Sequence, residues 1–159
     1  MVLGYFVKDG DVGLGLRKKT PWSGKLSGPG GNREECDKSL KDALVREVKV
    51  ELDVNIALDE IEKRAEFKIF RPGKKPILLH VYTMGRYQGD FKASDEMDIP
   101  WWFPIEYLPI ELMVPGDEHW VYRMLKGEFL GGEIHRSLDF ETLIYMNVYE
   151  VDPKSFVHY

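Results

Sequence analysis

The stretch Leu44-Val45-Arg46-Glu47-Val48-Lys49-Val50-Glu51-Leu52-Asp53-Val54 decides the fold. It reads as the body of a helix that begins in "DKSLKDA", with Asp37 a suitable N-cap and Lys41 and Lys49 toward solvent. Leu40, Ala43, Leu44, Val45, Val48, Val50 and Leu52 form one apolar arc around it. At about 100° per residue, Glu47 and Glu51 fall about 20° to either side of Leu40, inside that arc. Their spacing projects both carboxylates together. Two like charges at the edge of a core lose hydration and repel, so something cationic must offset them. An arginine is one solution. A hard divalent cation is another, since Mg²⁺ takes carboxylate oxygens together with phosphate and water.

The segment ahead of this helix, "GKLSGPGG" (residues 24–31), is rich in glycine and leads toward the helix start. Glycines let backbone approach a ligand closely. A Gly-rich loop followed by a helix with two inward carboxylates is a constellation for metal-assisted phosphate chemistry.

Outward from there, "VLGYFVKDGDVGLGLRKK" predicts two strands around the turn Lys8-Asp9-Gly10-Asp11. "EIEKRAEFKIF" and "PILLHVYTMGRYQG" predict two more around "RPGKKP". "WWFPIEYL" predicts a strand running into a turn. "GDEHWVYRMLKG" predicts a second helix opened by "VPGD", and "EFLGGEIHR" and "ETLIYMNVYEV" a final strand pair. No repeat or linker divides the 159 residues, so the expectation is one domain over 1–159, of mixed α+β class.

The net charge of -5 argues against a grip on a nucleic-acid polymer. No stretch approaches a membrane span and no signal peptide is read at the start. The single cysteine, Cys36, permits no internal disulfide, which fits a reducing compartment. The expectation is a cytoplasmic monomer with a nucleotide as its partner.

"GPGGNREECDKSLKDALVREVKVELDV" resembles the signature of the Nudix hydrolases. Gly31 matches its opening glycine, Arg46-Glu47-Val48-Lys49 its Arg-Glu-aliphatic-any run, Glu51 the second of its paired glutamates and Val54 its closing aliphatic. Val50 replaces the first paired glutamate and Asp53 the late glycine, and the loop from Gly31 to Arg46 is one residue longer. Asp37 then stands in for the glutamate that braces the arginine. "SDEMDIPWWFPIEYLPIELMVPGDEHW" is similar to the matching stretch of the oxidised-purine nucleoside triphosphate diphosphatases, and "GLRKK" and "KGEFLGGEIHRS" fit that branch.

The resemblance implies the Nudix fold, a mixed β-sheet sandwiched between helices. It implies Mg²⁺, with Mn²⁺ an alternative, held by Glu47, Glu51, Glu96 and the Gly31 carbonyl. Glu51, Glu47 and Arg46 form the implied catalytic set, in which Glu51 orients or deprotonates water and Arg46 braces the loop. Arg17 is placed near the phosphates, and Ser27, Met97 and Asp117 at the base. The implied reaction splits an oxidised purine triphosphate such as 8-oxo-dGTP into monophosphate and pyrophosphate. The base pocket departs from that branch. Val114 stands in a tryptophan position, Gly116 in that of the first of two aspartates, and Ser27 in that of an asparagine. Another nucleoside diphosphate linked to a group X, or a nucleotide-binding module without catalysis, therefore stand as alternatives. Asp117 reads equally as a helix N-cap. His80 reads as a buried, hydrogen-bonded histidine, and Trp101-Trp102-Phe103 as core with one ring as a candidate pocket border. Cys36 has no acid–base partner in the sequence.

Overall fold

A computed structural model describes residues 1–158. Its strands are β1 (Val2–Lys8), β2 (Asp11–Leu16), β3 (Leu26–Ser27), β4 (Gly30–Gly31), β5 (Ile61–Phe70), β6 (Ile77–Met84), β7 (Trp101–Pro104), β8 (Leu130–Arg136) and β9 (Leu143–Glu150). Two α-helices, α1 (Leu40–Leu52) and α2 (Val121–Leu125), join them, with short 3₁₀ turns between. The main sheet runs in the order β3-β2-β1-β6-β5-β8-β9. β4 pairs with β1 and β7 with β2 off that path. The β1–β6 and β5–β8 pairings are parallel and the others antiparallel. The fold is thus the mixed sheet between helices that the sequence implied.

Period-two alternation along β1 shows how one strand feeds two layers. Val2 and Phe6 join the cluster under α1 with Leu40, Ala43, Leu44, Val48 and Leu52. Tyr5 joins the cluster on the opposite face, with Phe67, Val81, Trp120, Val121 and Met124. Gly4 is a glycine because α1 packs close there. A Cβ would lie 2.6 Å from Met84 Sδ and 3.0 Å from a Leu44 methyl.

Four local expectations are corrected. Helix α1 is capped by Ser39, whose Oγ accepts from the Asp42 amide at 3.1 Å, and Asp37 lies outside the helix. The apolar arc is narrower than its residues suggested, because Val50, at its edge, is 57% exposed. Trp101 is 70% exposed and Trp102 and Phe103 only half-buried, since β7 pairs with β2 at an edge off the main order. The second helix is also shorter than "GDEHWVYRMLKG". A 3₁₀ turn, Asp117–His119, precedes a single α-helical stretch of five residues. His80 is buried, as expected, with Nδ1 2.8 Å from Lys63 Nζ. Burial holds its pKa down to about 4, so it accepts from the lysine as a neutral ring.

Candidate active site

A cavity of about 760 Å³ opens on the sheet face that carries Leu3, Tyr5, Ile69, Leu79 and Ile134. The loop from Arg17 to Glu34 and the inward edge of α1 close it. That volume suits a small-molecule ligand. Gly31, Arg46, Glu47, Glu51, Glu96, Arg17, Ser27 and Asp117 all line it. Met97, expected at the base, does not. It is fully buried beneath α1, where its Cγ lies within contact of Gly15.

The α1 arc delivers its carboxylates as the sequence required. Glu51 is 1% exposed, and its carboxylate accepts from Arg17 Nη1 at 2.7 Å and from the Gly30 amide at 3.2 Å. Arg17 Nη2 also donates to the Gly28 carbonyl at 3.0 Å, so it ties the Gly-rich loop to the helix. Glu47 lies against the loop at Gly31, where a Cβ would sit 2.4 Å from Glu47 Oε1. Only a residue without a side chain permits that approach. Glu96 arrives from the segment before β7, and Lys19 Nζ stands 3.5 Å from it. One oxygen from each of Glu47, Glu51 and Glu96 lies within 4.8 Å of the others. Three hard oxygen donors at that separation suit a hard divalent cation.

Arg46 locks the approach. Its Nε donates to Asp37 Oδ1 at 2.9 Å and its Nη2 to Asp37 Oδ2 at 2.9 Å. Its remaining donors reach the Asn32 carbonyl at 2.8 Å and Glu47 at 2.9 Å. The paired hydrogen bonds from Arg46 hold the Asp37 carboxyl below its usual range. Asp37 therefore braces the arginine.

Burial raises the Glu51 carboxyl to about 7, and Arg17 offsets only part of that cost. A carboxyl raised on folding binds its proton more tightly when folded. Its contribution to stability is present below its ordinary value of 4.5 and lost as pH rises through about 7. With divalent cations chelated, the stability of wild type minus that of Glu51→Gln is expected to fall by roughly 3 kcal/mol between pH 4.5 and 8, at ~1.4 kcal/mol per pH unit. Urea unfolding across that range measures it. A pH-independent difference would remove the buried-carboxylate description.

A second polar group lines the same cavity. Gly116, at φ +104°, opens the 3₁₀ turn without a side-chain cap. Asp117 follows as its first residue, 4% exposed, so it does not serve as the N-cap. Burial pushes its carboxyl up to about 7. Arg136, at the end of β8, is 5% exposed; its Nη2 donates to the Pro115 carbonyl at 2.6 Å. Its guanidinium lies 4.8 Å from the centre of the Trp22 ring. Trp22 and Trp120 both line the cavity and supply aromatic surface that Val114 does not. The sequence reading missed Tyr5, Trp22, Trp120 and Arg136. The available signal for Arg136 was its strand phase, in step with the buried Leu130 and Ile134. Cys36 is exposed, 3.8 Å from a Glu34 carboxylate oxygen.

A family model described as the NUDIX domain matches residues 2–124. No match was found among curated proteins. Among solved structures, the MutT protein from Bacillus halodurans is 21% identical over 92% of this chain and 95% of that one, with a TM-score of 0.71. A MutT NUDIX hydrolase from Burkholderia pseudomallei is 21% identical over 79% and 93%, with a TM-score of 0.63. The NUDIX domain of Shewanella oneidensis NrtR, complexed with ADP ribose, is 18% identical over 79% and 82%, with a TM-score of 0.59. At these identities the likeness carries the fold.

Proposed function

The chain belongs to the NUDIX family, and from that premise we propose that it hydrolyses a nucleoside diphosphate linked to a further group, X, with the help of a divalent cation. A purine nucleoside triphosphate is the substrate class favoured here, with an oxidised purine such as 8-oxo-dGTP first among them. The observation that carries the reading is the cluster of Glu47, Glu51 and Glu96 at one cavity wall.

Glu47, Glu51 and Glu96, with the Gly31 carbonyl, would hold Mg²⁺ or Mn²⁺. When bound, such an ion neutralises charge on phosphate oxygens and lowers the pKa of water. The protein's own residues do the rest. Arg46 fixes the loop from Asn32 to Asp37 against Glu47. Arg17, with its side chain 16% exposed at the cavity, presents positive charge for phosphate while holding Glu51 in place. Glu51 accepts or orients the proton of the attacking water. Ser27 and Asp117 face the base. Val50 lines the same cavity while 57% exposed, and as a valine it brings no oxygen, so one carboxylate fewer serves the site than the family signature provides.

The test is release of pyrophosphate and phosphate with Mg²⁺ across 8-oxo-dGTP, 2-hydroxy-dATP, the ordinary nucleoside triphosphates, a diadenosine polyphosphate and ADP-ribose. Turnover that strongly favours an oxidised purine triphosphate is expected. Turnover confined to ADP-ribose or the dinucleotide would move the substrate to another X. Absence of turnover throughout would leave a binding module.

A further inference from the structure

Four buried side-chain polar atoms lack a hydrogen-bond partner among the described residues, and three of them belong to residues that line one cavity: Tyr5 Oη, Asp117 Oδ2 and Arg136 Nη1. Buried polar groups are normally satisfied, so unpaired ones gathered around one space point to a ligand that satisfies them. From this geometry we infer that Arg136 sets ligand specificity, its Nη1 donating to a ring carbonyl oxygen so that the cavity takes an oxo-purine in preference to adenine.

Arg136 is held to this task. Nη2 is anchored on the Pro115 carbonyl at 2.6 Å, and the guanidinium is backed by the Trp22 ring. The guanidinium is thus held at two points, and its Nη1 is buried and left without a partner.

Arginine offers donors only, so its partner is an acceptor. The cavity walls include Leu3, Ile69, Leu79 and Trp120, which are apolar or aromatic, and the Asp117 carboxyl is near enough to act on the guanidinium. A phosphate would meet that carboxyl and lose hydration against the apolar walls. A flat ring with a carbonyl oxygen on its edge meets neither cost. Guanine, hypoxanthine and 8-oxoguanine carry such an oxygen. Adenine presents a 6-amino group instead, whose N–H bonds would face the guanidinium and leave both unpaired. The inference rests on the reading that the cavity holds a nucleotide with its phosphates toward the carboxylates.

Equilibrium titration of GMP, IMP and AMP into the wild-type protein and Arg136→Met separates the two readings. Wild type is expected to bind GMP and IMP at least about 10-fold tighter than AMP. Arg136→Met should weaken GMP and IMP by about 10–100-fold and leave AMP nearly unchanged. Equal affinity of the wild type for IMP and AMP overturns the inference, as does binding of none of them. An equal loss for all three in the variant also overturns it, because that is the mark of a merely structural arginine. Should Arg136→Met fail to fold, the wild-type ratio of IMP to AMP still decides. Hydrolysis of the matching triphosphates is followed in parallel. A binding preference without turnover would sink the hydrolase reading and leave the role of Arg136 standing.

Discussion

Replacing Glu51 with Gln is expected to lower kcat by about 10³-fold or more while leaving the protein folded. Glu51 carries two assignments at once, a cation ligand and the proton acceptor, so its loss is not divided among neighbours. The substitution keeps shape and one oxygen, and that oxygen retains the Gly30 amide or Arg17 as donor. Above neutral pH the variant is even expected to be the more stable protein, because it removes a carboxylate that is 1% exposed and costly to ionise. Lost turnover with raised stability is the signature of a functional carboxylate held at a stability cost. Steady-state hydrolysis together with urea unfolding measures both. Near-wild-type turnover in Glu51→Gln would contradict the assignment.

Replacing Arg46 has the second largest expected effect, and it falls on stability and activity together. Its guanidinium serves Asp37 twice, the Asn32 carbonyl and Glu47. Arg46→Ala strands the Asp37 carboxylate, whose side chain is 3% exposed, and frees the loop that backs Glu47. A loss of about 2–3 kcal/mol is expected, the size of breaking a largely buried charge pair. For a chain of this size that is a fall in Tm of about 5–10 °C. Arg46→Lys is expected to recover less than half, because an ammonium cannot make the paired contact with one carboxylate. Full rescue by lysine in a thermal melt would show that charge alone, and not the fork, holds the loop.

The parts of this molecule that were legible in the sequence are those set by local period. The arc of α1 places Glu47 and Glu51 inward from the sequence alone, because a helix repeats within a few residues. The hairpins and the strand pairs β5–β6 and β8–β9 followed from alternation and turn residues. Capping was less legible. Asp37 and Ser39 both satisfy the preference for an N-cap, and only the pull of Arg46 on Asp37 decides between them. The second group of polar residues was not legible as a group. Tyr5 comes from β1, Trp22 from a loop, Asp117 from a 3₁₀ turn and Arg136 from β8. They meet only through the order β1-β6-β5-β8, which no short window contains. The signal for Arg136 was nonetheless of the kind that singled out Glu47 and Glu51: a charge in step with buried apolar positions.

The most direct measurement is titration of Mn²⁺ into wild type and into Glu47→Gln, Glu51→Gln and Glu96→Gln, followed by the paramagnetic signal of the free ion. The prediction is binding by the wild type that weakens by about 10-fold or more in each variant, since each removes one charged oxygen ligand from a site of three. Unchanged Mn²⁺ binding in all three variants would contradict the claim that these carboxylates form the metal site.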